Sequence, residues 1–229
     1  MRILAIIFIT LFTHLGYSQS TCKPYMPSEK GAKWEITNYS GKGKLVGKTA
    51  YELIDKVENG SVINFTAQAI SYDKKDKEIF NNTFKAYCKD GKFEFDMAFK
   101  MNGASMQAYK DMDVKMDASE LEIPSVDQAV GSRLNDGTIK VEVGTGSVPM
   151  FTMTVTISDR KVESKEEKPT PAGKFDCIVL TQKMTTKMIM NMENTSKEWY
   201  AEGVGMVRSE LYNKGGKLTG YSELTKLSK

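Results

Sequence analysis

The methionines of this chain are spaced so that they could bind a soft ligand. Four of them fall within ten residues, "KMTTKMIMNM", at 183–192. If this segment is a β-strand, alternate side chains share one face. That face carries Met184, Met188, Met190 and Met192. It could be packed core, a pliable wall for an apolar ligand, or a set of sulfur ligands for Cu(I).

A second group of methionines has the period of a helix. Met106, Tyr109, Met112 and Met116 are spaced by three, three and four residues, as in one stripe of an amphipathic helix. We expect a short helix or helical loop over about 103–118, against the concave face of a sheet. The methionine face of 184–192 is predicted to point inward and to bind no metal, because its burial alone explains the pattern.

The single histidine, His14, lies in a predicted signal peptide. In "MRILAIIFITLFTHLGYSQS", Arg2 precedes an apolar run that is too short to span a bilayer, and small residues precede Gln19. Cleavage after residue 18 would leave no imidazole. This excludes Ser-His-Asp and Cys-His nucleophiles and histidine-ligated zinc or iron. We predict an exported protein, periplasmic or extracellular, that is not an enzyme and has no cofactor.

Three cysteines, Cys22, Cys88 and Cys177, would enter an oxidising compartment. We favour a Cys22–Cys88 disulfide, which would fix an N-terminal lead over 19–32 and contribute about 4 kcal/mol in the chain-entropy model. Cys88 could instead pair with Cys177. A lipid anchor on Cys22 is a weaker interpretation, because the three residues before it make a poor lipobox.

The sequence offers two further candidate sites. Trp199 and Tyr200 begin "WYAEGVGMV", which is either a binding rim or a strand bent at its glycines. The full predicted ligand-binding set is Met106, Met112, Met184, Met188, Met190, Met192, Trp199 and Tyr200. The acidic residues are numerous enough for a hydrolase carboxylate pair, which would lie within about 10 Å with one pKa raised.

Composition limits the partners. The net charge is +3 and the charges are interspersed, which does not favour nucleic-acid binding. After the signal peptide, the sequence contains no segment apolar enough to cross a membrane. We expect a monomer whose partner is an apolar small molecule or an envelope component.

From residue 33 onward, strands alternate with turns. Phe93, Phe95 and Met97, for example, alternate with Glu94 and Asp96, which marks one buried and one wet face. About eleven strands and one helix are predicted, in a single antiparallel β domain over 33–229. A sheet of that many twisted strands curls, so we expect a mostly β fold, a strongly curved sheet that forms a barrel or half-barrel.

Four segments together resemble a family of small exported bacterial β proteins, the TapB-like group, and related domain-of-unknown-function proteins. They are "EWYAEGVGMVRSE", "PAGKFDC", "DRKVESKEE" and "EIPSVDQAVGSRLNDG". The resemblance implies an exported antiparallel β protein, with no activity and no catalytic residues assigned. The expected function is non-catalytic binding of an apolar, lipid-like ligand, or a structural or interaction role in the envelope. Cu(I) binding and a carboxylate-dependent hydrolase are the alternatives.

Overall fold

The computed structural model describes residues 22–97, 112–145, 148–188 and 191–228, which contain thirteen β-strands. They are β1 Lys33–Ser40, β2 Leu45–Asn59, β3 Val62–Asp73, β4 Glu78–Lys89, β5 Lys92–Asp96, β6 Asp113–Ala118, β7 Glu120–Ile123, β8 Gly137–Thr145, β9 Val148–Thr170, β10 Gly173–Lys187, β11 Asn191–Ala201, β12 Gly205–Asn213 and β13 Leu218–Ser228. Tight turns join most of them. At Asp90 and Gly91 the φ angles are 51° and 77°, as an Asp-Gly hairpin turn requires.

One antiparallel sheet contains all these strands, in the order β6-β8-β9-β10-β11-β12-β13-β1-β2-β3-β4-β5-β7. The edge strands β6 and β7 follow each other in the chain, with Ser119 between them. The Ser119 N–H donates to Thr138 O of β8 at 3.0 Å, and Ser119 O accepts from Met97 N, just after β5, at 3.3 Å. Ser119 therefore joins the two edges, and the twisted sheet forms a nearly closed barrel.

The inner face of the barrel is the hydrophobic core. On β8, for example, Ile139, Val141 and Val143 are each 0% exposed, whereas Thr138 and Lys140 between them are exposed. This is the alternation that a sheet with one wet face requires. The predicted mostly β, antiparallel barrel is confirmed.

The predicted helix over about 103–118 is wrong in its C-terminal part. Residues 113–118 form strand β6, in which Met116 lies opposite Val141 of β8. The same sequence also alternates with a period of two, and β8 provides a partner for its backbone N–H and C=O groups. Strand pairing with β8 therefore determines the structure of residues 113–118, despite the helical spacing of the methionines. The N-terminal part, with Met106, lies outside the described residues.

The N-terminal lead is held in place by a disulfide. Cys22 is bonded to Cys88, with 5.6 Å between the Cα atoms, the pairing favoured from the sequence. Behind it, Tyr25 and Met26 are buried, and Tyr25 donates to Pro124 O at 2.8 Å. Cys177 remains a buried free thiol, whose pKa burial raises to about 12.

Residues 1–21 lie outside the described residues. The signal peptide over 1–18, and the division of the chain into 19–32 and 33–229, therefore stay predictions. In the ranges that the structure describes, no helix combines the length and apolar character needed to cross a membrane.

Candidate functional site

The two ends of the barrel differ. At the end where β10 leads into β11, the hairpins β1–β2, β3–β4, β8–β9 and β12–β13 also turn, since neighbouring antiparallel strands reverse at common ends. We call this the methionine end. At the opposite end, which we call the lead end, the segment 22–32 packs Tyr25 and Met26 into the interior.

Six methionines continue the inner face towards the methionine end. We call them the methionine wall: Met112 and Met116 at β6, Met153 on β9, Met184 and Met188 at β10, and Met192 on β11. The strand register places them on this face. Met116 and Met153 both lie opposite the buried Val141, and Met184 lies opposite the buried Ile157.

Exposure differs among the wall methionines. Met153 is 9% exposed, and Met116 and Met184 are half-buried against the core. Met188 and Met192 are 38% and 54% exposed. The wall therefore combines buried and solvent-exposed thioethers, which form an adaptable apolar surface.

The prediction that the whole methionine face of residues 184–192 is buried is therefore wrong for Met188 and Met192. Both side chains are on the inner side of the sheet. However, Met188 follows the last residue of β10, and the pairing of β11 with β12 ends at Asn194, before it reaches Met192. Met106 and Met190, also in the predicted ligand-binding set, lie outside the described residues.

Trp199 and Tyr200 do not join the methionine wall. As neighbours in β11 they point to opposite faces of the sheet. Trp199 lies on the outer face, yet it is 2% exposed, because the long β9–β10 hairpin curls over it. Its Nε1–H donates to Glu166 at 2.6 Å, and the Lys168 and Lys197 ammonium groups lie 4.0 and 4.8 Å from its ring centroid. Trp199 is therefore enclosed by the side chains of Glu166, Lys168 and Lys197 and does not form an open binding rim. We call this arrangement the Trp199 clamp.

Tyr200 lines a small apolar cavity towards the lead end. Its aromatic lining comes from Tyr25, Trp34, Phe84, Phe93, Phe95 and Tyr200. The cavity volume is about 30 Å³, enough for one or two water molecules. It is too small for an acyl chain.

Behind Tyr200 lies a buried polar network. The Tyr200 hydroxyl donates to Glu198 at 2.8 Å, and Gln182 Nε2 donates to the other Glu198 oxygen at 3.0 Å. Arg160, 2% exposed, donates to Gln182 at 3.3 Å. Burial raises the pKa of Tyr200, and the Glu198 carboxylate adds to this. Tyr200 therefore remains a hydrogen-bond donor to Glu198 at neutral pH.

Sequence reasoning missed this network. The sequence feature that could have revealed the network is polar residues at positions that point inward. Gln182 lies between Leu180 and Met184 on the inner side of β10, and Glu198 lies two residues before Tyr200 on β11. Arg160 follows Asp159, whose φ of 53° marks an irregularity in β9 where the β9–β10 register shifts. Such a shift cannot be located from sequence alternation alone.

One carboxylate pair has the perturbed pKa that a hydrolase would need. The pKa of Glu94 is raised by burial and by a hydrogen bond and charge repulsion with Glu120. Both residues stand on the outer side of the β5–β7 ladder, and neither lines the cavity described above. A glycosidase needs its carboxylates on either side of a bound substrate, and this flat outer position does not offer that.

Over the part of the chain that the structure describes, no three His, Cys, Asp or Glu side chains are grouped so that they could hold a metal ion. Thioether ligation of Cu(I) falls outside that set of ligands and is tested below.

A family model described as DUF3108-like matches residues 29–224. Two solved structures have similar folds. One, from Bacteroides fragilis NCTC 9343, is described as "a putative exported protein with YmcC-like fold" and has a TM-score of 0.81 at 24% identity, covering 91% of this chain and 100% of its own. The other, from Parabacteroides distasonis ATCC 8503, is described as "a putative lipoprotein" and has a TM-score of 0.82 at 22% identity, covering 90% and 99%.

At these identities the two structures establish the fold. No curated protein matches the chain. The resemblance to domain-of-unknown-function β proteins is confirmed by the family match, whereas the TapB-like name is not.

Proposed function

This chain belongs to the DUF3108-like family, and from its barrel and methionine wall we propose that it is an exported, non-catalytic protein that binds an apolar, lipid-like ligand. The ligand lies against the methionine wall at the methionine end of the barrel. Export is proposed from the signal-like residues 1–18, which precede the part of the chain that the structure describes.

The exposed methionines of the wall carry this proposal. A purely structural core would bury its apolar side chains, but Met112, Met188 and Met192 are 39%, 38% and 54% exposed on the side of the sheet that faces inward. Covering such a surface is favourable by about 25 cal/mol per Å² of apolar area. Flexible thioethers suit a ligand of variable shape, such as an acyl chain.

Titration with a fluorescent fatty acid, 11-dansylaminoundecanoic acid, tests the proposal on the purified exported protein. We expect an increase in dansyl emission with one probe per chain. The double variant Met188→Asp plus Met192→Asp places two charges on the wall and should weaken binding at least about tenfold. Its matched control is Val148→Asp plus Met150→Asp, since these side chains are 69% and 65% exposed at the same end but not part of the wall.

Equal binding by the wall variant and the wild type would contradict the proposal, as would a wild type that binds no probe. Native mass spectrometry of the protein as exported adds an independent readout, because a co-purified lipid appears as a defined mass shift. Circular dichroism confirms that both variants keep the wild-type fold.

A conservative variant distinguishes Cu(I) binding from the binding of an apolar ligand. Met188→Leu plus Met192→Leu keeps the apolar volume and removes the sulfur ligands. We expect fatty-acid binding to survive this change. Stoichiometric Cu(I) binding that is lost in the leucine variant would instead favour a metal site.

A further inference from the structure

The turns at the methionine end form a basic rim. Three hairpins, from neighbouring strand pairs of the sheet, turn there through residues 214–217, 41–44 and 74–77. Within these turns, seven exposed lysines accompany one acid, Asp76. We call them the lysine rim: Lys42, Lys44, Lys74, Lys75, Lys77, Lys214 and Lys217.

Nearby acids neutralise this rim only in part. Asp76 is paired with Lys48 on β2 at 2.7 Å. Asp73, at the end of β3, accepts the backbone N–H groups of Lys75 and Lys77 at 2.8 and 3.0 Å. Glu193 lies 4.0 Å from Lys214 and also pairs with Lys183. The rim keeps a net positive charge.

The lead end has the opposite character. Its hairpin turns, residues 60–61, 90–91, 171–172 and 202–204, contain no lysine and two acids, Asp90 and Glu202. Lys92, which flanks one of these turns, is paired with Glu122 at 3.3 Å. Among the described hairpin turns, lysines are therefore found at the methionine end, whereas the lysines of the lead, Lys23 and Lys30, are paired with Glu202 and Asp55.

Exposed apolar side chains gather at the same end. Of the ten large hydrophobic side chains exposed among the described residues, seven are there, and Ile54, Val57 and Val130 are elsewhere. The seven are Leu45, Val46, Met112, Val148, Met150, Met188 and Met192. Val148 and Met150 are 69% and 65% exposed, and Leu45 and Val46 directly follow Lys44 of the rim.

We propose that the methionine end docks on the surface of an anionic phospholipid leaflet. The lysine rim would contact the headgroups, and Val148, Met150, Leu45 and Val46 would enter the headgroup–acyl boundary. Cationic residues beside protruding apolar ones are the combination that binds a protein to an anionic membrane surface. Charge complementarity favours this occupant over a second copy of the chain, whose rim would carry the same positive charge.

The proposal rests on the proposed function, since it names the membrane as the source of the ligand and places the methionine wall at its surface. A lipid acyl chain could then pass from the leaflet to the wall without crossing water.

Vesicle flotation tests the docking. The purified exported protein, whose intact mass shows whether its N-terminus is acylated, is mixed with phosphatidylglycerol–phosphatidylcholine vesicles or with pure phosphatidylcholine vesicles. We expect binding to the anionic vesicles at 0.1 M salt and its loss at about 1 M, where the Debye length is near 3 Å. Equal binding to both vesicle types, or to neither, would overturn the proposal.

A charge-reversed rim gives the residue-level test. Lys42, Lys44, Lys214 and Lys217 are all changed to Glu. The control carries the same change in net charge at four exposed lysines outside the rim, Lys85, Lys89, Lys165 and Lys174. Since each lysine near an anionic surface contributes about fivefold in affinity, the rim variant should bind at least about a hundredfold more weakly. A control that loses as much as the rim variant would show general charge attraction and overturn the docking.

The two proposals fail separately. A chain that binds the dansyl fatty acid in solution but ignores anionic vesicles overturns the docking and leaves the proposed function intact. A chain that docks on anionic vesicles through its rim but binds no probe overturns the proposed function alone. If a second copy covers this end instead, light scattering will give a dimer that Val148→Asp plus Met150→Asp dissociates, and the docking is then overturned.

Discussion

The guanidinium of Arg160 donates a 2.6 Å hydrogen bond to the backbone carbonyl of Glu122. This contact links β9 to the edge strand β7 across the junction where the two edges of the sheet, β6 and β7, meet. We call this junction the seam of the barrel. A second guanidinium nitrogen donates to Asn135 O at 2.8 Å, in the loop before β8. A single buried side chain therefore holds three parts of the chain that meet where the sheet closes.

Replacing Arg160 should open this seam. Arg160→Met leaves two part-buried carbonyls and the Gln182 side chain without their donor, so we expect a loss of about 3 kcal/mol in the free energy of unfolding. Urea denaturation measures it. The exposed Arg133, changed to Met, is the control and should stay within about 0.5 kcal/mol of wild type. Equal losses in both variants would refute the role given to Arg160.

Removing the disulfide should loosen the lead. Cys22 and Cys88 are 66 residues apart, so Cys22→Ser should cost about 4 kcal/mol in the chain-entropy model. Wild type reduced with dithiothreitol should unfold at the same urea concentration as the variant. Cys177→Ala, which breaks no crosslink, should keep its sensitivity to dithiothreitol. A reduced wild type that is as stable as the oxidised one would contradict this prediction.

Glu166 should stabilise the Trp199 clamp through its acceptor oxygen. Glu166→Ala leaves the buried indole N–H unpaired, so we expect a loss of about 1–3 kcal/mol in unfolding free energy. Glu166→Gln keeps an acceptor and should lose less. The adjacent Glu167 pairs with Lys174 on the surface, and Glu167→Ala should cost under about 1 kcal/mol. The ranking, measured by urea denaturation, fails if Glu167→Ala is the more harmful change.

Acid should weaken the interactions of the Glu210 carboxylate with Tyr212 and Arg208. Burial raises the pKa of Glu210, but hydrogen bonds from Tyr212 and Arg208 outweigh it, and the net shift is downward from 4.5. Because the folded pKa is the lower one, the stabilisation is present above the unfolded pKa and is lost as pH falls through the folded value. Glu210→Gln should therefore flatten the decline in stability between about pH 5 and about pH 3.

The control for this pH effect is Glu29→Gln, at an exposed position in the lead. It should retain the full acid sensitivity of the wild type. The two titrations are compared as unfolding free energy against pH, and identical curves for Glu210→Gln and wild type would contradict the assignment.

Local sequence was sufficient for the antiparallel fold class, for most of the strands and for the favoured Cys22–Cys88 disulfide. It predicted about eleven strands where the structure has thirteen, and a helix where residues 113–118 form β6. Alternation in segments such as 93–97 reflects a direct rule, because successive side chains in a strand point to opposite faces. The same rule correctly put Met184, Met188 and Met192 on one face. The same rule puts Trp199 and Tyr200 on opposite faces of the sheet. The predicted ligand-binding set was therefore wrong to combine these two residues.

Only the tertiary structure decided where the core ends. Periodicity indicates which side chains share a face but not how far the opposing layer reaches. It therefore could not predict that Met188 and Met192 are exposed. Ser119 closes the barrel, Arg160 bonds to β7, and the β9–β10 hairpin covers Trp199. Each of these contacts joins residues distant in the chain, and their geometry depends on twist, curl and register shifts summed over many strands.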